Sequence, residues 1–356
     1  MKLSSCIDII SGGTPDTKNE LYWNGNIPWI SIKDFNNNRY IYSTEKSITE
    51  VGLKNSSTNL LDKNDIIISA RGTVGCLSQL TKTMAFNQSC YGIRSNKNEL
   101  LQNYLYYWLV ANIYKFKKNV HGAVFDTITK DIFNTINIEI PPINIQQHII
   151  DIIGSIDDKI ENNNRIINSI FQYGKLKYKE ISNNYKDIND YVKFEKGKEA
   201  TSSKYSEIKE NNYIQYIRVK DLNDLTNTYV PNILDLPLAT EKDILISFDG
   251  AIGRTNFGLN GAFSSGIYKV VPKFKNEYGI FYWALLDDKN QNIMLEHTNG
   301  TTILHGSKSI SYLVIKEHTT NDISLFNNLF DYILNIKFEN QKLIELKQNY
   351  LNKFFN

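Results

Sequence analysis

Residues 11–35 read SGGTPDTKNELYWNGNIPWISIKDF, and the end of this stretch returns in weaker form in the second half of the chain. Residues 27–36 are IPWISIKDFN; residues 214–223 are IQYIRVKDLN. Residues 65–75, DIIISARGTVG, are echoed 178 positions later by residues 243–253, DILISFDGAIG. The same displacement carries Gly122 to Gly300, Lys130 to Lys308, Lys159-Ile160-Glu161-Asn162 to Lys337-Phe338-Glu339-Asn340, and Ile166 to Ile344. A unit of that length is far too long for a solenoid repeat and suits a whole domain plus a helix. The chain reads as a tandem duplication, fit for a target with two similar but unequal halves.

A chain of 356 residues has room for two cores, and 41% hydrophobic with 22% charged residues is the composition of a globular protein. No run of about 18 apolar residues exists, and Met1-Lys2-Leu3 opens no signal peptide, so a cytoplasmic protein without membrane partners is expected. Cys6, Cys76 and Cys90 are odd in number and lack C-x-x-C spacing, which predicts small core residues in a reducing compartment. The net charge of +2 must be split to be useful. Residues 1–144 carry 15 basic and 12 acidic side chains, and residues 187–319 carry 15 and 17. A stand-alone nucleic-acid binder shows a clearer basic excess. Any such binding must come from local patches or from a partner's charge.

Short β-like runs and dense turn chemistry fill the first 140 residues. Ile66-Ile67-Ile68 is an apolar run, residues 136–140 alternate as a strand does, and Gly12-Gly13, Asn24-Gly25 and Gly72 to Gly75 mark turns. Residues 100–118 space their aromatics and leucines as a helix would, with Tyr106, Tyr107 and Trp108 expected in the core. Pro141-Pro142 then stops the strand, and Asn144 with Gln147 predicts a capping-box start. Ile149, Ile152, Ile153, Ile156, Ile160, Ile167 and Ile170 form a seam near 3.5 residues per turn, over about 50 Å of helix. Asn162-Asn163-Asn164 lies within it and reads either as a buried register device or as a solvated face. A second β-rich stretch leads to a second long helix from about Asn321, with Phe326, Phe330, Ile333, Leu334 and Phe338 on its apolar side. Unpaired, the two helices would expose long apolar stripes, so antiparallel pairing is expected.

Catalytic constellations are missing. There is no G-x-x-x-x-G-K-[ST] loop, no G-x-G-x-x-G and no G-x-S-x-G elbow. His121, His148, His297, His305 and His318 have no metal-ligand spacing. Arg71 to Gly75 resembles a phosphate loop only superficially: it lacks the lysine, and its echo at Asp249 to Gly253 has an acid in place of the arginine. A tight turn between strands accounts for it better.

In this order and spacing, several motifs together resemble a specificity subunit of type I restriction-modification systems. They are Gly12-Gly13-Thr14-Pro15, Tyr22-Trp23, Ile27-Pro28-Trp29-Ile30, the junction Ile140-Pro141-Pro142-Ile143 with Gln146-Gln147 and Ile149, and Ile156-Asp157-Asp158-Lys159-Ile160-Glu161. The resemblance implies an α+β fold with a pseudo-twofold internal repeat, in which two β-rich target recognition domains are separated by a two-helix antiparallel coiled coil. On this chain the domains fall at 1–144 and 187–319, and the helices at 145–186 and 320–356. It also implies a non-catalytic chain that binds double-stranded DNA. Two modification subunits carrying S-adenosylmethionine, and restriction or motor subunits, would then supply the chemistry. The second half departs from the pattern: it has no GGTP and opens Phe194-Glu195-Lys196-Gly197-Lys198, and its helix starts Thr319-Thr320-Asn321-Asp322. Two different half-sites are the consequence to expect.

Base readout needs directional donors and acceptors, and phosphate contact needs Lys, Arg, Ser, Thr or free backbone N–H. The first domain offers Thr14, Lys18, Lys33, Arg71, Thr73, Asn87, Gln88, Ser89 and Lys130. The second offers Lys198, Ser202, Ser203, Lys204, Arg218, Lys220, Arg254, Ser264, Ser265 and Lys308. Lys33 with Lys220, and Lys130 with Lys308, recur at matching places, as do Trp29 and Tyr216, which are expected in the core. Two other readings remain: a specificity subunit of a differently organised methyltransferase-nuclease, and a two-module scaffold that binds no DNA.

Overall fold

The structure is a computed structural model that describes residues 1–35, 38–118, 127–223, 226–233, 235–298 and 305–355. Asn36, His121, Gly122 and Gly300, singled out above, lie outside the described residues. The chain divides into two units, one of residues 1–162 with 343–356 and one of residues 163–342.

The first unit holds β1 (Ile7–Ser11), β2 (Trp23–Ile30), β3 (Tyr40–Ile41), β4 (Lys46–Ile48) and β5 (Leu60–Leu61). It continues with β6 (Ile66–Ser69), β7 (Leu77–Leu80), β8 (Met84–Phe86) and β9 (Cys90–Ser95). Its helices are α1 (Glu50–Lys54), α2 (Gln102–Lys118), α3 (Lys130–Thr135) and the beginning of α4 (Ile143–Glu180). Two sheets form, in the orders β1-β9-β6-β7-β3 and β4-β2-β8-β5. The apolar run of β6, paired between β9 and β7, is buried throughout because both faces of its sheet are covered: Ile66 and Ile68 pack in one core cluster and Ile67 in another. On that sheet α2 lays Tyr104, Leu105, Tyr107, Trp108 and Leu109, all buried, with Ile149, Ile150 and Ile153 of α4 and Leu351 completing the core. Cys6 and Cys90 are buried as expected, and burial pushes the Cys90 thiol up to about 12; Cys76 is partly exposed.

The second unit holds β10 (Tyr185–Asp187), β11 (Val192–Lys196), β12 (Tyr213–Ile217), β13 (Tyr229–Pro231) and β14 (Leu238–Ala239). Then come β15 (Ile244–Ser247), β16 (Thr255–Asn256), β17 (Gly261–Phe263), β18 (Ile267–Pro272) and β19 (Val314–Lys316). With them are α5 (Gly279–Leu286), α6 (Asp288–Glu296) and most of α7 (Thr320–Phe355). Its sheets run β11-β18-β15-β16, β13-β12-β17-β14 and β10-β19. The duplication is visible pair by pair. β2 runs parallel to β8 with Trp29 opposite Ala85, and β12 runs parallel to β17 with Tyr216 opposite Ala262. Leu61 faces Met84 in one unit and Ala239 faces Gly261 in the other. Asn112 of α2 and Asn290 of α6 are both buried polar residues at the repeat distance.

The long helices pair antiparallel within each unit. Asp157 accepts from Lys347 Nζ at 2.6 Å in the first. In the second, Asn163 Nδ2 donates to Asn340 Oδ1 at 2.9 Å and the Tyr178 and Phe326 rings meet edge to face. Asn163 is buried, so the register reading of the Asn run holds at that residue. Among the described residues no helix is long and apolar enough to cross a membrane.

Three local expectations are corrected, and the expected start of the second long helix at 320 is met. Residues 136–140 are not a strand: a single bridge joins Asn137 to Lys2, although Ile136 and Ile138 are buried. Their alternation serves the core, and among the described residues their backbone bonds to Met1 and Leu3. The capping box at Asn144 and Gln147 does not form, because α4 already begins at Ile143, with Ile145 N and Gln146 N donating to Pro142 O. The glutamine that matters is Gln146, buried and bonded to Leu101 N, Glu99 O and Pro141 O, while Gln147 donates to Asp151. Helix α4 ends at Glu180, not at 186, since residues 185–187 leave it to form β10 against β19. Helix α7 starts at Thr320 with Thr319 and Asp322 bonded to each other's backbone N–H.

Candidate nucleic-acid interface

In the first unit, three loops at strand ends are tied together by backbone bonds. The turn between β6 and β7 is folded on Ser69, whose buried hydroxyl donates to Thr73 O and accepts from Cys76 N at 2.8 Å. Gly72 (φ 74°) and Gly75 (φ 84°) take the left-handed backbone the turn requires. Arg71 and Thr73 sit exposed at its tip, which supports the turn reading over a phosphate loop. Ala70 N and Arg71 N both donate to Ser89 O, at 2.7 and 3.2 Å. The Asn87–Ser89 loop is closed by Ser89 N donating to Asn87 Oδ1 at 3.1 Å, and it hangs from Ile30 O through Asn87 N.

Against this loop lies the Gly-Gly-Thr-Pro segment. A Cβ on Gly12 would stand 2.1 Å from Asn87 O, so only glycine allows the approach. Gly13 N donates to Phe86 O, Trp29 Nε1 donates to Gly13 O at 3.0 Å, and the Thr14 hydroxyl donates to Gln88 Oε1. Trp29 is thus a buried strut, as expected. Thr14, Arg71, Thr73, Asn87, Gln88 and Ser89 are brought together. Lys33 joins them on the turn at 32–34, whose Ile32 methyl would lie 3.0 Å from a Cβ on Gly72. Its side chain is 80% exposed, and its ion pair with the exposed Glu45 is loose at 3.8 Å, so the ammonium remains accessible to a phosphate. Lys130, at the start of α3, reaches back to Ile9 O, and Lys18 is exposed in the loop beyond Asp16.

The second unit repeats the plan with other side chains. Gly197 occupies the place of Gly12: its Cβ would meet Ser264 O at 2.1 Å. Lys198 N donates to Phe263 O as Gly13 N does to Phe86 O, and the Tyr216 hydroxyl donates to Lys198 O at 3.1 Å where Trp29 served before. Ser265 donates to Glu199 at 2.9 Å, in the place of the Thr14–Gln88 bond. The missing GGTP therefore has a structural counterpart in Gly197-Lys198-Glu199-Ala200. Lys220 and Lys308 are exposed, as are Ser202, Ser203 and Lys204. Lys198 Nζ is bound to Asp235 O at 2.9 Å, and Ser264 is buried. Arg218 is folded inward: it bonds Thr226 and Thr228 and pairs with buried Asp221. Its counterpart Ser31 does the same for buried Asp34, so this place is structural in both units. Arg254 stands at the head of β16, its N–H on the Ser247 hydroxyl.

Asp249 and His305 also face this loop cluster, joined at 2.8 Å, and neither was among the expected residues. The repeat displacement was the signal that could have found Asp249, which occupies the place of Arg71. Among the described residues no three His, Cys, Asp or Glu side chains are grouped to hold a metal ion.

Comparison with known proteins gives the arrangement a family. A family model described as type I restriction modification DNA specificity domain matches residues 1–172 and 182–310. The type I restriction enzyme MjaIX specificity subunit of Methanocaldococcus jannaschii is 27% identical over 285 residues, 70% of this chain and 65% of that protein. The EcoR124I/EcoR124II specificity subunit of Escherichia coli is 34% identical over 154 residues, 41% of this chain. The chain spans 65% of the length of the first relative and 37% of the second in these matches. In three dimensions the type I restriction-modification S subunit from M. genitalium matches all of this chain and 95% of its own at a TM-score of 0.55 and 17% identity, which shows a shared fold. Because the family model covers most of both halves, the chain belongs to the type I restriction modification DNA specificity family.

Proposed function

We propose that the chain is the DNA-reading specificity subunit of a type I restriction-modification complex and carries no catalytic centre of its own. Each β-rich part, 1–144 and 187–319, reads one half of a bipartite double-stranded target, and the paired helices connect the two readers. Methylation, with its S-adenosylmethionine, resides in two modification subunits, and restriction or motor subunits join that core. The observation that carries the reading is the recurrence of one loop cluster in both units. In each, a glycine-closed approach, a Ser-centred turn and an exposed lysine (Lys33 or Lys220) share the same backbone frame, while the other exposed side chains differ. A common frame with variable tips suits phosphate contacts shared by two readers of different sequence.

The experiment is selection from a randomised duplex pool by the full chain assembled with modification subunits, followed by mapping of methylated sites. A split sequence with two dissimilar halves is expected. A pool that stays random after selection rejects DNA reading and leaves the scaffold interpretation standing.

A further inference from the structure

Two turns with one backbone plan carry opposite charges. Arg71 N donates to Ser89 O at 3.2 Å and Asp249 N donates to Gly266 O at 3.4 Å, each next to a second N–H on the same carbonyl. Gly72 and Gly250 follow them with φ of 74° and 72°. The guanidinium of the first unit is thus replaced by a carboxylate in the second. Asp249 is only 21% exposed, and its Oδ1 is held at 2.8 Å by Nδ1 of His305, which is bridged to it by backbone as well. No contact among the described residues engages Oδ2.

A carboxylate in a unit that exposes Lys220 and Lys308 is repelled by DNA phosphates. The major-groove feature that rewards it is an exocyclic amine. Adenine presents its N6 donor beside the N7 acceptor, which suits an amide; cytosine presents the N4 donor alone, which suits an acceptor-only group. Building on the DNA-reading function above, we propose that Asp249, oriented by His305, is a specificity-determining residue of the second half-site and accepts a hydrogen bond from cytosine N4. His305 is the positioning residue: it occupies one carboxylate oxygen and leaves the other for the base.

The test repeats the duplex selection with the assembled wild type and with D249A, D249N and H305A. Wild type should show a C·G pair at one position of the second half-site. D249A should lose roughly tenfold or more of that preference while every other position keeps its own. D249N should move the same position toward adenine, because its amide offers both an acceptor and a donor. H305A should weaken the preference at that position alone. Base preferences identical to wild type in both D249A and D249N overturn the proposal while leaving DNA reading intact. A wild type that selects nothing overturns DNA reading itself. If D249A loses every position of the second half-site, its fold has failed and D249N decides the matter.

Discussion

Lys337 shows how a single side chain can set the pH response of a unit. It is the repeat partner of Lys159, yet its ammonium is buried, donating to Asn256 Oδ1 and Phe257 O at 2.7 Å each and lying 4.4 Å from the Phe257 ring centre. Burial lowers its pKa from the usual 10.5 to about 8. Between those values the unfolded chain binds a proton that the folded chain lacks, so stability rises with pH across this window and the full penalty is present below pH 8. Comparing urea unfolding of wild type and K337M from pH 7 to 10.5, we expect the difference to move steadily in favour of wild type as pH rises. A constant difference would mean that the amine is not desolvated. Asn163 makes the complementary point about neutral groups. Its amide donates to Glu339 and Asn340, and Asn340 donates in turn to Asn164. N163A should cost about 1–3 kcal/mol by orphaning its buried partner Asn340, and N163L with N340L together should recover much of it. A double-mutant cycle with no coupling would show that water replaces the lost partner.

At the scale of the element, helix α4 carries two glycines that a propensity argument treats alike and the structure does not. Gly154 has room: a Cβ there would lie 3.6 Å from the Tyr107 hydroxyl, an ordinary contact. Gly174 has none, since Trp283 lies on it and its Nε1 would be 2.2 Å from the Cβ. G154A should therefore raise stability by about 0.5–1 kcal/mol, and G174A should lower it by about 1–3 kcal/mol despite the same gain in helix propensity. Melting curves of the two variants displaced in the same direction would contradict this packing. The pair also shows what the sequence could and could not disclose. The isoleucine seam made α4 legible because its period is local, and the echo of residues 65–75 in 243–253 made the duplication legible because turn chemistry survives substitution. Gly174's partner is over a hundred residues away, so no local pattern announces it. The strand expected at 136–140 failed for the opposite reason: its alternation was real, but a strand also needs a neighbour, and among the described residues a single bridge to Lys2 is what it finds. Within the candidate interface, the frame was legible at Gly12, Trp29 and Tyr216. Arg218 was not, because its commitment to Asp221, Thr226 and Thr228 depends on a turn that only tertiary structure reveals.

For the whole molecule, the question is whether both units engage one duplex in a single binding event. The overall charge of +2 gives little long-range attraction, so the salt dependence of binding has to be carried by individual lysines on the two faces. Lys33 and Lys220 occupy the same short turn in the two repeats, each one residue before a buried aspartate that fixes the turn. Both are exposed, and neither turn depends on the lysine side chain for its own hydrogen bonds. Replacing either by alanine should therefore leave the fold intact and remove about one phosphate contact. In the assembled complex, K33A and K220A should each weaken binding to the selected duplex, with little change in base preference. Each should also reduce the magnitude of the slope of log K against log salt by about 0.9. Because the two lysines lie in different units and share no partner, their free energies should add, and the double variant should lose about twice the slope. A duplex carrying only the first half-site separates the possibilities further: K33A should weaken binding to it and K220A should not. Equal losses from both variants on that half-site would show that the lysines are not confined to their own half-sites, and a double variant no weaker than K33A alone on the full target would show that the second unit does not read DNA alongside the first.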